Sequence, residues 1–342
     1  MITDGERQLA SVRQISDILA IEGADAIELA CVDGWQVVVK KGEFKKGDLA
    51  VYFEIDSWIP TELAPFLSKG KEPREFKGVK GERLKTAKLR GALSQGLLLP
   101  TSILPPTVST EKTLDEVLNV QKWEKAIPSY LSGLVKGNFP AFLQKTDQER
   151  IQNCFKELSP LDFEFFEWEI TEKLDGSSMT CYYHEDTFGV CSRNLDLKED
   201  PNNAFWNMAI TLNIQEKMRE MWAHFDSGFA IQGELVGEGI QGNPYKIEGR
   251  EFYIFNVYDI SARKYVPPVL AKTFTEAMGL KYVPIVTETG SIEPNLGSIL
   301  SMADGYSFVN PSTLREGLVF KRVDMMTSFK AISNKWLLKE KD

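Results

Sequence analysis

The chain predicts an α+β protein of two domains, a small β-rich one followed by a larger one of mixed strands and helices. Three observations carry this. Its 342 residues are enough for two cores. The first hundred residues hold short strand-like runs separated by turn residues, with little helical periodicity. From Phe163 onward, period-2 stretches are interrupted by a helical pattern between Asn203 and Met221.

In the first domain, set at residues 1–105, Trp35-Gln36-Val37-Val38-Val39 and Leu49 to Ile55 read as strands joined across Phe44-Lys45-Lys46-Gly47-Asp48. Leu97-Leu98-Leu99 closes the region before Pro100. Between Lys69 and Arg90 stand nine Lys or Arg against three Glu, a local +6 on a chain of net charge -9. Lys85, Lys88 and Arg90 end this strip. It suits contact with a phosphate backbone, and equally a solvated charged loop. Short strands around a basic loop suggest a small barrel of the OB kind, although strand count does not separate OB from other small barrels.

Residues 106–140 are expected to be a connection, with Pro106, Pro128 and Pro140 and one helix from Leu114 to Trp123. The second domain is set at 141–342. At its start Thr146 or Asp147 is expected to cap a short helix running through Arg150.

Composition removes several classes. No apolar run approaches the roughly 18 residues of a membrane span, and no basic-then-apolar leader opens the chain. A cytoplasmic protein, or a nuclear one in a eukaryote, is therefore expected, unsecreted and off the membrane. Four cysteines without C-x-x-C spacing and two histidines without partners argue against zinc and for reduced thiols. Cys181 and Cys191 flank one hairpin and are candidates for neighbours. Gly237-Glu238-Gly239-Ile240-Gln241-Gly242 fits a dinucleotide fingerprint, but Asn243-Pro244 opposes the helix that fingerprint needs.

The chemistry gathers in the second domain. Phe166, Trp168 and Ile170 alternate with polar residues, as in a half-buried strand, and lead into Glu172-Lys173-Leu174-Asp175-Gly176-Ser177. Met179 to Cys191 reads as a hairpin turning through His184-Glu185-Asp186-Thr187. Beyond it, Arg193 follows the hairpin, Glu234 ends a strand, Phe255 lies within another, Glu316-Gly317 enters the strand of Lys321, and Lys330 sits on the last one. This set suits covalent nucleotide transfer. A lysine amine can attack an α-phosphate once it has lost its proton. Asp175, Glu234 and Glu316 offer hard oxygens to Mg²⁺ or Mn²⁺. Arg193, Lys321 and Lys330 would neutralise phosphate charge, and Phe255 offers a face to a nucleobase. A surface lysine in a strand-turn-strand unit is the alternative for Lys173 taken alone.

Lys173-Leu174-Asp175-Gly176-Ser177 resembles motif I of the covalent nucleotidyltransferases, which comprise RNA ligases, DNA ligases and mRNA capping enzymes. Arg193, Glu234, Phe255, Glu316-Gly317 and Lys330 match the later motifs in order, across about 160 residues. The resemblance implies Lys173 as the AMP-accepting nucleophile, Asp175, Glu234 and Glu316 around the metal, and Glu172, Arg150, Arg193, Phe255, Lys321 and Lys330 at ATP. Only 12 residues follow Lys330, too few for the trailing OB domain of DNA ligases and capping enzymes. With the β-rich domain first, the chain is similar instead to RNA ligases of the Deinococcus and Naegleria type. That likeness implies an OB barrel before an RNA-ligase-type, ATP-grasp-like nucleotidyltransferase domain of mixed antiparallel sheets with helices. It also implies ATP as AMP donor and joining of 5′-phosphate to 3′-OH ends in a nicked duplex with RNA on the 3′-OH side. A monomer is expected. A DNA ligase, a capping guanylyltransferase and a non-catalytic nucleic-acid-binding protein with a relic pocket are the rivals. One departure stands out: Lys330-Ala331-Ile332 lacks the second lysine of a K-x-K motif, and Lys335 is offset from Lys330 by an odd number.

Overall fold

The computed structural model describes residues 2–3, 6–106, 112–124, 134–222, 225 and 228–339. Among these, no helix is long and apolar enough to cross a membrane. Contacts divide the chain into two compact units, one of Met1–Ala126, Glu149–Leu158 and Leu337–Asp342, the other of Ile127–Gln148 and Ser159–Trp336. The proline-rich stretch is thus shared between the units, and the chain returns to the first for ten residues before completing the second. Pro128 and much of the expected connection lie outside the described residues.

The first unit is built of short strands. Leu49–Phe53 pairs with Ala10–Gln14 and Leu97–Pro100, while Trp35–Lys40 pairs with Ile27–Val32. The two strands expected to be joined across residues 44–48 therefore belong to different sheets. Trp35, Val37 and Val39 point inward while Gln36 and Lys40 point out, the alternation of a strand with one buried face. The expected helix from Leu114 stops at Val117, where Asn119 takes a left-handed backbone (φ 52°), and Gln121–Lys122 is a strand. Lys88 and Arg90 are exposed on the hairpin of Ala87–Leu89 and Ala92–Ser94, with Lys85 half-buried before it. Arg83, from the same basic strip, is buried instead, 2.6 Å from Asp56 and stacked on Trp123.

The returning segment carries a one-turn helix, Ile151–Cys154, which neither Thr146 nor Asp147 caps; Arg150 holds the N-cap position without a side-chain cap bond. What secures it is Asn153. Its Oδ1 accepts from Trp35 Nε1–H at 2.7 Å, and its Nδ2 donates to Glu54 Oε1 at 2.7 Å. Both partners are buried polar groups that would otherwise lack water.

The second unit has two sheets. An eight-stranded sheet runs Val135–Asn138, Leu195–Leu197, Thr187–Cys191, Ser177–His184, Gly228–Gly237, Arg250–Asp259 and Lys264–Tyr265, with Lys281–Tyr282 parallel to Arg250–Asp259. The hairpin turn narrows to Glu185-Asp186, both left-handed (φ 48° and 57°), as a two-residue turn between twisted strands requires. Cys181 and Cys191 stand on adjacent rungs of that hairpin, Cys191 opposite Thr180 and Cys181 opposite Val190, but turn into different apolar clusters, and both are free thiols. The predicted helix from Asn203 is two, Ala204–Thr211 and Ile214–Met221, broken where Asn213 turns left-handed (φ 52°). Both pack on one face of the sheet, against Met179, Cys181, Phe229 and Ile231.

The second sheet orders Ile285–Gly290, Trp168–Lys173, Gly317–Arg322 and Ser328–Ile332. Trp168–Lys173 is central and buried on both faces, whereas alternation predicted one solvated face. One face is aromatic: Trp168 lies 5.7 Å from Phe163 and 5.2 Å from Phe329, and Phe329 stacks on Phe320. The other face is polar yet covered, with Glu169 and Lys321 opposite one another in register.

Replacing Asn153 with Ala should orphan the Trp35 N–H and take one donor from Glu54. A loss of roughly 1 to 3 kcal/mol is expected, read by denaturant unfolding. An unchanged midpoint would show that the segment is held by something else.

Candidate active site

Register assembles the site. On the smaller sheet, Glu169, Thr171 and Lys173 alternate onto one face of their strand, and their partners Lys321, Val319 and Gly317 share it. Lys330 pairs with Val319 and joins that face. On the larger sheet, Ser178 pairs with Glu234 and Glu234 with Tyr253. The two faces meet through side chains. Lys321 Nζ donates to the Phe255 carbonyl, and Tyr282 Oη donates to Glu169 at 3.1 Å.

Lys173 ends its strand, and its ammonium donates to Glu316 Oε2 at 2.7 Å. Burial would push this amine down, but the carboxylates of Glu316, Glu234 and Asp175 outweigh it and hold the ammonium above its ordinary range. Glu234 shows the converse. Burial first, then the negative charges of Glu316 and Asp175, push its carboxyl up to about 8, against the pull of Lys173 and a hydrogen bond from Gly176 N–H. Glu234 does not end its strand as expected; it lies three residues inside Gly228–Gly237. Gly176 is required by close approach, since a Cβ there would stand 2.4 Å from the Leu235 carbonyl oxygen. Asp175 lies beyond the strand end, in the turn, so strand parity does not orient it. Its backbone N–H donates to Tyr245 Oη at 2.6 Å.

Phe255 owes its position to a β-bulge. Gln232 pairs with Asn256 and Gly233 with Ile254, leaving Phe255 as the extra residue. The register shift shows in the core: Phe252, Ile254 and Val257 all enter the large apolar cluster, spaced by two and then three. Phe255 and Tyr253 fall on the other side, with Leu174, Tyr245 and Val283.

Several candidates stand elsewhere than expected. Lys321 is 1 % exposed, and burial pushes it down to about 8, only partly countered by Glu169 at 3.8 Å. Its ammonium donates to the Phe255 carbonyl. Glu172, next to Lys173, turns to the opposite face of the strand. There its Oε2 accepts from Phe308 N–H at 2.8 Å, and its buried Oε1 has no hydrogen-bond partner among the described residues. Arg193 is exposed and paired with Asp147 at 2.6 Å. Arg150 belongs to the first unit, buried, 3.5 Å from Asp56 and over the Trp35 ring. Lys335 lies on the helix Asn334–Lys339, past the last strand, 3.6 Å from Asp304.

Sequence reasoning missed Tyr245, Glu169 and Tyr282. Tyr245 follows directly on the rejected glycine fingerprint, whose run of left-handed residues is a tight loop that delivers the phenol beneath Asp175. Among the described residues no three His, Cys, Asp or Glu side chains form a ready metal cage. Three carboxylates around one ammonium nonetheless leave excess negative charge on hard oxygens. That suits Mg²⁺ or Mn²⁺, which take one or two carboxylates and complete their shells with water and substrate phosphates.

Comparisons with known proteins bear on the fold and the family. An OB-fold domain model matches residues 9–101, and an RNA ligase model matches residues 166–337. A search of curated proteins returned no match. Among solved structures, a Naegleria gruberi RNA ligase variant with AMP and Mn is 44% identical, with a TM-score of 0.89, covering 98% of this chain and 100% of that one. Another variant with ATP and Mn is 44% identical, with a TM-score of 0.88 and the same coverage. The Naegleria gruberi enzyme with PPi is 43% identical, with a TM-score of 0.86, covering 97% and 98%. With an N-terminal OB fold and an RNA ligase domain matched across half its length, this chain belongs to the RNA ligase family.

Proposed function

We propose that this protein is an ATP-dependent RNA ligase that seals 5′-phosphate/3′-OH nicks in duplexes whose 3′-OH strand is RNA. The observation that carries this reading is the Lys173 ammonium at a strand end, 2.7 Å from Glu316 and under the charge of Glu234 and Asp175. Lys173 Nζ, once deprotonated, attacks the α-phosphorus of ATP; an N–P bond forms, the bond to the β-phosphate oxygen breaks, and pyrophosphate leaves. AMP then passes from the lysine to the 5′-phosphate of the break. The 3′-OH attacks that phosphate and expels AMP, closing a phosphodiester.

A divalent cation at Asp175, Glu234 and Glu316 would supply charge neutralisation for the phosphates. Before it binds, Glu316 holds the lysine as an ammonium, so the nucleophile is masked; Lys330 and Arg193 are the cations we assign to phosphate oxygens. Phe255, aimed by its bulge, is the face we assign to adenine. Lys85, Lys88 and Arg90 are assigned to the duplex backbone, where exposed cations act without sequence preference.

Incubation with ATP labelled at the α-phosphate and Mg²⁺ should yield an acid-labile protein adduct that Lys173→Ala abolishes. Equal labelling of that variant, or none of the wild type, overturns the enzyme reading, and labelling by GTP alone redirects it towards capping. Nicks with an RNA 3′-OH strand should be sealed, and all-DNA nicks poorly; equal rates refute the RNA preference. In the same assay, Lys85, Lys88 and Arg90 changed together to Gln should weaken nick binding while leaving adduct formation intact.

The pH dependence has a definite sign. With Glu234 protonated below about 8, a cation must displace that proton. Mn²⁺ binding to the nucleotide-free protein should therefore weaken as pH falls, by about tenfold per unit for one proton. Electron paramagnetic resonance titrations at several pH values would read this, and Glu234→Gln should flatten it. A flat wild-type profile would contradict the raised carboxyl.

A further inference from the structure

We infer that Tyr282 and Glu169 are positioning residues for the nucleotide: with Lys321 they fix the main chain of Phe255, and so the ring on which adenine stacks. The inference rests on the ligase reading above and on Phe255 as its adenine face, and it gives that face its supporting residues.

Two elements converge on one carbonyl. Phe255 is the bulged residue of Arg250–Asp259, between Ile254 and Asn256, which pair with Gly233 and Gln232 of the next strand. From the smaller sheet, Lys321 donates its ammonium to the Phe255 carbonyl. From Lys281–Tyr282, the strand parallel to Arg250–Asp259, Tyr282 Oη reaches the same oxygen at 3.4 Å. Tyr282 Oη also lies 3.1 and 3.3 Å from the two oxygens of Glu169, and Lys321 Nζ lies 3.8 Å from Glu169 Oε1. The Lys321 ammonium is 6.0 Å from the centroid of the Phe255 ring and 6.0 Å from that of Tyr282, within reach of cation–π attraction to both. One cation therefore meets both the carbonyl and the ring of Phe255. That ring packs in an apolar cluster with Leu174, the residue after Lys173.

Core stability alone does not call for this cluster. Lys321 is 1 % exposed and Glu169 2 %, and apolar residues often replace a buried ion pair without loss of stability. The bulge does call for it, because an extra residue lacks the ladder partner that sets the direction of an ordinary strand side chain. Here side chains supply what register does not. Counting protons assigns the parts. Tyr282 has one phenolic proton and three acceptor oxygens in reach, so it shares that proton between Glu169 and the Phe255 carbonyl. Lys321 brings a second donor to the carbonyl, and Glu169 faces both donors. Glu169, Thr171 and Lys173 share one strand face, with Glu169 about 13 Å along the strand from Lys173. The support of the ring and the attacking amine are thus carried by the same strand.

In the full-length protein, the rate of lysine–AMP adduct formation against ATP concentration separates binding from chemistry. Tyr282→Phe removes one hydroxyl and keeps the ring; Glu169→Gln keeps the shape and removes the charge. Each should raise the apparent KM for ATP about 2- to 10-fold, the span of one net hydrogen bond, with little change in the rate at saturation. Phe255→Ala should raise it about 5- to 150-fold, the span of one base–aromatic stack. The double variant is decisive: if Tyr282 acts through the ring, Tyr282→Phe should add nothing to Phe255→Ala. Ribose triphosphate without a base should react alike in the wild type and in Tyr282→Phe. Additive effects in the double variant, an unchanged KM in both single variants, or a fall in the saturated rate at unchanged KM overturns the positioning role. A wild-type KM in Phe255→Ala would move adenine off that ring and take the inference with it. A wild type that forms no adduct at all would instead fault the ligase reading beneath both.

Discussion

A single ammonium among three carboxylates governs the second unit. Lys173 cannot be withdrawn without leaving the Glu316 and Asp175 carboxylates together beside a Glu234 already pushed towards its neutral form, and its amine is no nucleophile while it keeps its proton. The arrangement is stable only as a resting state. In the proposed mechanism it becomes reactive when another positive charge takes over the carboxylates, with charge as the gate.

The rigidity is visible around that gate. Glu172 and Asp175, flanking the nucleophile, are tied to two different loops through Phe308 and Tyr245. The buried Lys321 and the half-buried Tyr282, which also donates to Glu169, donate to the Phe255 carbonyl beside the bulge. These polar groups lie between two sheets, where hydrogen bonds are strong and unmet ones expensive. Lys321 illustrates the trade: it gives up solvent contact, sits 3.8 Å from the Glu169 carboxylate and donates to the Phe255 carbonyl.

Much of this was legible in the sequence because it follows from local rules. Strand alternation placed Lys173, Glu316-Gly317 and Lys330 on strands or their ends, and the glycine after Asp175 marked a tight approach. What escaped were features set by partners distant in the chain. Alternation at Phe166 to Thr171 read as half-buried, yet a second sheet covers the polar face, which only the contacts of Lys321 with Phe255 and of Tyr282 with Glu169 reveal. A bulge leaves no mark on periodicity until its neighbour's register is known, so Phe255 was found while its aim was not. Glu172 and Lys173 are adjacent and both charged, and nothing local says that one turns towards the chemistry and the other towards Phe308. Arg150 shows the same limit at larger scale. Its sequence neighbours Thr146 and Asp147 contact Ser178 and Arg193 in one unit, while it packs with Asp56 and Trp35 in the other.

That interleaving bears on the order in which the protein comes into being. A chain emerging from the ribosome folds its N-terminal parts first. Here the first unit, although nearly all of its strands are made early, contains Glu54 and Trp35 with buried polar atoms whose partner is Asn153. Until that residue has been synthesised, the OB fold carries an unanswered indole N–H in its interior, and Glu54 lacks one of its donors. Leu337, buried in the same unit, arrives later still. The nascent first unit should therefore remain loose, and open to chaperones, through synthesis of the segment that closes it.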